Sequence, residues 1–309
     1  MRARNWLAAT TICSASIGLC TGTAGAATLR MDDGAWRYSG GSEANAVTAR
    51  EEGRQFVLSD AAVTSFGRLP RGCTPEPVSE GYGVRCDAPG QQTLRMQLDG
   101  GDDSITAWDM SRRFTQIAEV GDGDDSVQPG DGDDRVTGGA GDDTLYGGFG
   151  DDRIDAGVGT NFVHGNAGSD RITTGPELDF VFGDGGDDVI DSGAELDFVF
   201  GGGGNDDIDA GAGTDFASGG GGHDRIAGAG GDDELRGGGG SDRLDGGTGD
   251  DVLRTRDGEP DTLRCGSGQD VARVDAGEVD EARRDCETVR EADTTPPEPP
   301  DEDTIARSD

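Results

Sequence analysis

The sequence contains no lysine and few aromatic residues, and each shortage excludes a class of protein. All 26 basic residues are arginine, and they face 63 acidic residues, so the 309-residue chain has a net charge of -37. Nucleic acid and anionic membranes are poor partners for such a chain, because both carry dense negative charge. Hydrophobic residues make up 32% and aromatic residues 5% of the chain, too little for a conventional core. This composition predicts disorder unless multivalent cations neutralise the acids.

Histidine is also scarce, which argues against catalysis. A nucleophilic triad needs a histidine beside Ser or Cys and an orienting acid. The two histidines, His164 and His223, both fall inside a repeated motif and are interpreted as substitutions within it. Paired aspartates recur with the same motif, and stacked turns offer no cleft for glycosidase carboxylates. We therefore predict that the protein is not an enzyme.

Long hydrophobic runs are missing except at the N-terminus. Arginines precede an apolar stretch over 6–19, and small residues follow at 24–26, so 1–26 is predicted to be a secretory signal peptide. A lipoprotein signal is disfavoured because the bulky Leu19 precedes Cys20. No other segment approaches the roughly 20 apolar residues of a membrane span. We expect a secreted, extracellular protein.

Four cysteines remain once the signal peptide is removed. They form two local pairs, Cys73 with Cys86 and Cys265 with Cys286. An even number in an oxidising compartment favours disulfides, although four cysteines permit three connectivities. Metal ligation is the weaker alternative, since neither pair has zinc-type spacing or a nearby histidine.

Glycine and aspartate are abundant, and they recur every nine residues. From 120 to 254 the chain divides into fifteen consecutive nonapeptides without insertion, such as GGAGDDTLY at 138–146. The sixth position is Asp in fourteen units, with Asn161 as the exception, and the eighth is always apolar. Such self-similarity predicts a solenoid. Weaker copies of the unit occupy 98–106, 256–264 and 265–273.

Each position of the unit has a physical role. Glycine at positions two and four permits the positive φ of a tight turn. The turn carbonyls and Asp carboxylates are hard oxygen ligands, which suit Ca²⁺. The last three residues form a short strand whose middle side chain points inward. Two units then make one coil, coils stack ~4.8 Å apart, and each cation lies between unit n and unit n+2. The sequence therefore predicts an all-β fold, a parallel β-roll (a β-helix), with several bound Ca²⁺ ions.

The pattern G-G-x-G-x-D-x-U-x resembles the repeats-in-toxin (RTX, hemolysin-type) nonapeptide. The flanks are similar to those of small exported bacterial calcium-binding proteins without a toxin domain. The resemblance implies a right-handed, calcium-dependent β-roll and assigns the sixth-position aspartates as metal ligands. The predicted ligands are Asp125, Asp134, Asp143, Asp152, Asp170, Asp188, Asp206, Asp224, Asp233, Asp242 and Asp251.

Odd units (those beginning at 120, 138 and every eighteen residues to 246) differ from the even units between them. Two odd units, 174–182 and 192–200, have Glu177 and Glu195 in place of the fourth-position glycine. A third odd unit, 156–164, has Asn161 in place of the sixth-position aspartate. Their turns are predicted to bind calcium weakly or not at all, which makes the roll asymmetric.

Odd units also carry most of the phenylalanine, which eighteen-residue stacking places on the outer face of one sheet. We call these residues the phenylalanine ladder: Phe162, Phe180, Phe182, Phe198, Phe200 and Phe216. An exposed apolar patch of this kind is typical of an interface or a covered surface. Three interpretations remain open: cover by the chain itself, a homo-oligomer or partner interface, and glycan binding. The alternative function is therefore a cell-surface or matrix adhesin.

The flanks of the roll are predicted to cap it, as repeat proteins require. The expected organisation is a signal peptide (1–26), a small β-rich N-terminal cap (27–97), the calcium-binding roll (98–273), a C-terminal cap (274–290) and a disordered acidic, proline-rich tail (291–309).

Overall fold

The computed structural model describes residues 27–32, 35–62, 68–108, 110–255, 257–275, 281–282 and 285–291. The predicted signal peptide and nearly all of the predicted tail lie outside these ranges. Within them the chain is all-β. None of these residues belongs to a helix long and apolar enough to cross a membrane.

The strands form two sheets in which nearly all neighbours are parallel. Sheet 1 has thirteen strands in the order β1 (Thr28–Asp32), β2 (Ala35–Ser39), β7 (Gln92–Gln97), β9 (Phe114–Asp122), β11 (Arg135–Ala140), β13 (Arg153–Val158), β15 (Arg171–Thr173), β17 (Val189–Asp191), β19 (Asp207–Asp209), β21 (Arg225–Ala227), β23 (Arg243–Thr248), β25 (Thr262–Ser267) and β27 (Glu281–Ala282). Sheet 2 has fifteen strands in the order β5 (Cys73–Glu76), β6 (Tyr82–Asp87), β4 (Gln55–Asp60), β3 (Ala46–Glu52), β8 (Ser104–Trp108), β10 (Ser126–Gln128), β12 (Thr144–Phe149), β14 (Phe162–Ala167), β16 (Phe180–Gly185), β18 (Phe198–Gly203), β20 (Phe216–Gly221), β22 (Glu234–Gly239), β24 (Val252–Thr255), β26 (Val271–Val274) and β28 (Thr288–Glu291).

Consecutive strands of the repeat region alternate between the two sheets. Even units end in sheet 1 and odd units end in sheet 2. Neighbouring strands pair eighteen residues apart, as with Val181 and Val199. The predicted parallel β-roll of two-unit coils is therefore confirmed.

The eighth-position side chains form the core of the roll. All fifteen are at most 2% exposed: Val127, Val136, Leu145, Ile154, Val163, Ile172, Val181, Ile190, Val199, Ile208, Ala217, Ile226, Leu235, Leu244 and Leu253. Full burial of a Val, Leu or Ile side chain contributes roughly 1.5–3 kcal/mol. Because one unit buries only one such residue, a single coil is not stable, and the coils depend on stacking.

The turns need backbone conformations that glycine adopts readily. At Gly141, in the fourth position, φ is 139°, and an added Cβ would lie 2.0 Å from the carbonyl oxygen of Gly123. Glu195 holds the equivalent position with a φ of 70°. A non-glycine residue in the left-handed region costs on the order of 1 kcal/mol. The sheets place each turn directly over the next, which positions the sixth residue.

Residues 28–97 continue both sheets beyond the first repeat. Val47 pairs with Ile105 in the register of an eighth position, so 40–48 (GGSEANAVT) is a degenerate unit. The rings of Trp36 and Phe56 lie 5.1 Å apart in the core of this end. A thicker aromatic core thus closes the N-terminal end of the roll.

Both predicted disulfides are present. Cys73–Cys86 joins β5 to β6. Cys265–Cys286 joins β25 to the segment that precedes β28, at the other end of the roll. The local connectivity is therefore the one the spacing favoured.

Candidate calcium sites

The sixth-position aspartates lie inside the turns and form a ladder along each edge of the roll. All eleven predicted ligands are at most 4% exposed. One carboxylate oxygen, Oδ1, accepts the backbone N–H of the residue one coil earlier; the N–H of Asp170 donates to Asp188 at 2.7 Å, and that of Asp188 to Asp206 at 2.8 Å. This bond fixes the carboxylate and points its second oxygen, Oδ2, into the turn.

Most of these second oxygens have no hydrogen-bond partner among the described residues. The buried, unpartnered Oδ2 atoms belong to Asp125, Asp143, Asp152, Asp170, Asp188, Asp206, Asp233, Asp242 and Asp251. Burial of a carboxylate without a partner is costly, so buried charges in proteins are paired or coordinate metal ions. The ladder therefore requires a cation or a proton at each of these oxygens.

In most units that begin with glycine, the Asp Oδ2 and a main-chain carbonyl oxygen of the next coil converge on that glycine. A Cβ added to Gly183, the first residue of its unit, would lie 2.4 Å from Asp188 Oδ2 and 2.5 Å from the carbonyl oxygen of Gly201, so any larger residue would have to displace these oxygens. We call the first-position glycine, the Asp carboxylate and the carbonyl one coil later a cradle. The two oxygens are hard donors of the kind that Ca²⁺ prefers.

Nine units have an open cradle because their first residue is glycine. In these units the added Cβ would lie 2.2–2.7 Å from the Asp Oδ2, and in eight of them it also lies 2.4–2.7 Å from the next carbonyl oxygen. The nine glycines are Gly138, Gly147, Gly165, Gly183, Gly201, Gly219, Gly228, Gly237 and Gly246. No group of three or more His, Cys, Asp or Glu side chains that could hold a metal occurs in the described part of the chain. Each cradle instead pairs carboxylate oxygens with main-chain carbonyls.

Hydroxyl groups fill the cradles in the middle of the odd edge. Thr174 is a first-position residue, and its Oγ1 donates to the carbonyl of Ser192 at 2.8 Å. Ser192 repeats the pattern, donating to the carbonyl of Ala210 at 2.9 Å. Ala156 and Ala210 place a methyl group at the same position. The N–H of Gly175 donates to Asp179 Oδ2 at 3.1 Å, whereas the Oδ2 atoms of Asp197 and Asp215 in the same stretch are buried without a hydrogen-bond partner. Sequence reasoning missed the first-position signal.

Two predicted ligands lie in units of different construction. The first-position residues beside Asp125 and Asp134 are Val120 and Pro129, whose side chains replace the empty cradle. In addition, Nε2 of Gln116 lies 3.4 Å from Asp134 Oδ2. The structure buries both aspartates as it does the others, without an open cradle beside them.

Four aspartates outside the predicted set share the ladder geometry and carry a buried Oδ2 without a partner. Asp197 and Asp215 lie in the closed odd units, and Asp103 and Asp270 lie in the weaker repeat copies. The first-position residues of the weaker copies are Leu98 and Cys265, so their cradles are not open either. The sixth-position aspartate of each weaker copy is the signal that could have identified Asp103 and Asp270.

The ladder carboxyls bind protons more tightly than an ordinary aspartate. Burial, and to a smaller extent neighbouring carboxylates, raises the pKa of Asp188 to about 8 and that of Asp152 to about 7, against the opposing effect of the N–H bond. Burial likewise raises the pKa of Asp206 to about 6. Protons and cations therefore compete for the same oxygens at neutral pH.

The phenylalanine ladder lies on the outer face of sheet 2 and stacks ring on ring. Phe180 and Phe198 are parallel within 5° at 5.2 Å, and Phe182 and Phe200 within 6° at 5.1 Å. His164 extends the second column, 4.6 Å from the Phe182 ring. Each inner ring thus covers the faces of its neighbours, and the ring edges point to solvent.

None of the described strands lies over this ladder, because both ends of the chain extend the sheets instead of folding back. Phe162 is 37% exposed, and the other five rings are half-buried by one another. Charged groups contact the face at its ends, where the Arg236 guanidinium lies 4.8 Å from the centre of the Phe216 ring.

Comparison with known families agrees with the geometry. The RTX calcium-binding nonapeptide repeat matches the chain four times, over 128–163, 164–199, 182–217 and 218–253. Residues 128–253 of the chain are RTX calcium-binding nonapeptide repeats. Calcium is the ion that RTX repeats bind, and the cradles contain the hard oxygens this ion requires. The matches also span the units with closed cradles, so the family alone does not tell which RTX turns are open. No curated protein matches the chain.

Proposed function

We propose that this chain is a secreted, non-catalytic calcium-binding protein whose β-roll folds when Ca²⁺ occupies the open cradles. The observation that carries the proposal is the row of buried carboxylate oxygens without a hydrogen-bond partner, which converge with main-chain carbonyls on the first-position glycines. The two disulfides support an oxidising, extracellular location. The RTX repeat is a structural calcium-binding unit, which supports a role without catalysis.

Coupling of folding to calcium follows from the charge of the roll. Without cations the folded state must bury its ladder carboxylates or keep them protonated, and its acids repel one another. An ion that binds only the folded roll adds its binding free energy to the stability. The unfolded chain lacks the cradles, because each is built from residues of two successive coils.

The occupied set is narrower than the repeat pattern alone predicts. We propose that the even edge binds calcium at six cradles, those of Gly147, Gly165, Gly183, Gly201, Gly219 and Gly237. On the odd edge we propose three, at Gly138, Gly228 and Gly246. The four odd units between 156 and 218 lack a first-position glycine, and we propose that they bind no calcium and that Asp197 and Asp215 hold a proton instead.

Circular dichroism in EDTA and then in millimolar Ca²⁺ tests the coupling. We expect a disordered spectrum in EDTA and a β spectrum once calcium reaches the millimolar range of extracellular sites. Native mass spectrometry of the loaded protein should count about nine ions. A β spectrum that is unchanged in EDTA would refute the coupling.

Self-association through the phenylalanine ladder is a second candidate function, as in an adhesin. The uncharged, half-exposed rings on an acidic body favour it. Glycan binding by stacking on these rings is disfavoured, because neighbouring rings already cover the inner ring faces.

A further inference from the structure

The outer face of sheet 1 carries arginines in single file. Six of seven consecutive strands contribute one to the same column, with Ile117 as the exception, and the strand register places each opposite the next. We call these six residues the arginine file: Arg30, Arg37, Arg95, Arg135, Arg153 and Arg171. Six strand spacings of ~4.8 Å give the file a length of about 29 Å.

The file has no acidic partners of its own. The arginine ion pairs of the described residues involve other arginines: Arg50, Arg85, Arg113, Arg236, Arg254 and Arg264. Like charges directly opposite on neighbouring strands are destabilising. In a chain with 63 acidic and 26 basic residues, six stacked arginines that form no ion pair are an unusual arrangement that an external anion would stabilise.

A groove at the N-terminal end of the file contains a second sign of a missing ligand. Arg30, Arg37 and Arg95 line it together with two acids, Asp32 and Glu119, and its volume is about 260 Å³. Nε of Arg95 is buried and has no hydrogen-bond partner. A buried guanidinium N–H without an acceptor is costly, so an anionic group in this groove would satisfy it.

We propose that the arginine file binds one chain of a linear, carboxylate-bearing polysaccharide along the axis of the roll. Arginine presents a planar fork of donors that matches a carboxylate with two parallel hydrogen bonds. A straight file on a flat sheet suits an extended polymer that carries charge at regular intervals.

The surroundings of the file select a narrow ligand. Glu119 and Asp155 lie on one side of it, and Asp133 and Asp151 occupy exposed fifth positions on the other. A wide polyanion such as duplex DNA would meet these acids. Single-stranded nucleic acid binds with the help of aromatic stacking, whereas the outward rings of the roll lie on sheet 2. The geometry therefore favours a polysaccharide.

The test compares two matched pairs of adjacent arginines on this face. The variant Arg135→Gln/Arg153→Gln interrupts the file. The control variant is Arg225→Gln/Arg243→Gln, which removes the same charge from the same column. Val189 and Asp207 separate this control pair from the file. Binding of a labelled oligogalacturonate is measured by fluorescence anisotropy on full-length protein in saturating Ca²⁺. We expect the first variant to bind the oligogalacturonate about tenfold or more weakly, because two bidentate, charge-assisted contacts are removed. The control variant should lose less than about threefold in affinity.

Several results would overturn the proposal. These are no binding by the wild type, an equal loss in both pairs, or single-stranded DNA of equal charge binding as tightly as the oligogalacturonate. Should the glutamine pair lose its calcium-induced β spectrum, Arg135→Lys/Arg153→Lys keeps the charge, and it should still weaken binding because lysine lacks the fork.

The inference rests on the proposed function only because sheet 1 must be folded for the file to exist. Circular dichroism of the same samples distinguishes a failure of the arginine file from a failure of the calcium coupling. A wild type that folds with calcium but does not bind the oligogalacturonate refutes the file alone. A wild type that binds it and shows no response to calcium refutes the proposed coupling alone.

Discussion

Gly183→Ala should remove one calcium site and leave the rest of the roll intact. The new Cβ would lie 2.4 Å from Asp188 Oδ2 and 2.5 Å from the carbonyl oxygen of Gly201, so it would displace the two oxygens that we propose as ligands. Gly183 has no left-handed φ, so its φ permits alanine, as at Ala156 and Ala210 in the same position of their units. The substitution therefore acts by displacing the two cradle oxygens.

The size of the effect follows from the linkage of binding to folding. At a calcium concentration 100-fold above the dissociation constant, one site stabilises the folded state by about 2.7 kcal/mol. For a chain of this size 1 kcal/mol corresponds to roughly 2–4 °C in melting temperature. We therefore expect a decrease of at least about 5 °C in saturating calcium, together with the loss of one bound ion.

Gly185→Ala is the matched control in the same coil. The nearest heavy atom to its added Cβ is the carbonyl oxygen of Asn166 at 3.7 Å, and the preceding coil already carries Ala167 at this position. Alanine at such a site stabilises by about 0.4–1 kcal/mol through the unfolded state, so the melting temperature should stay equal or rise. Native mass spectrometry and calorimetry measure both variants. A Gly183→Ala protein with the wild-type number of ions and melting temperature would refute the cradle.

Three further predictions follow from the ladder and from sheet 2. Thr174→Gly with Ser192→Gly should raise the number of bound calcium ions by up to two, because it empties two closed cradles; an unchanged ion count would contradict this. In EDTA, acidification from pH 8 to pH 5 should restore β structure in circular dichroism. The pKa of a ladder carboxyl such as Asp188 is about 8 in the metal-free roll and 3.8 in the unfolded chain. The folded roll is therefore stable when these carboxyls are protonated, and it loses stability as the pH rises through 6–8. Apparent calcium affinity should fall over the same pH range, and a pH-independent affinity would argue against these oxygens as ligands. Phe180→Ser/Phe198→Ser should shift sedimentation to the monomer if the phenylalanine ladder pairs two copies, whereas a monomeric wild type would exclude that interface.

Much of the fold was predictable because the repeat leaves few alternatives. A unit with one apolar residue, such as Val181, can bury it only by stacking on identical units, and the nine-residue spacing sets an eighteen-residue register. The sixth-position aspartates follow from the same register. Non-repeating segments have no such constraint, and the extension of both sheets by β2 and β3 was not predictable from their sequence.

The open and closed cradles depended on the structure. Sequence reasoning placed the difference between turns at the fourth position, at Glu177 and Glu195. The structure adds the first position, where Thr174 and Ser192 bond to the coil below. That hydrogen bond joins residues eighteen apart in the sequence. Its effect on the calcium site can be judged only from the positions of the carboxylate and of the next carbonyl.

The sequence by itself thus determined the coil, its register and the chemistry of its turns, because a short repeat imposes the same local environment many times. Only the tertiary structure decided which turns bring a carboxylate and a carbonyl oxygen together at a glycine, which ring faces remain accessible and which arginines align. Arg37 and Arg95 come from strands outside the repeat, yet they join the column of Arg135 because β2 and β7 pair into sheet 1. Such placements depend on contacts between distant segments, which periodicity does not encode.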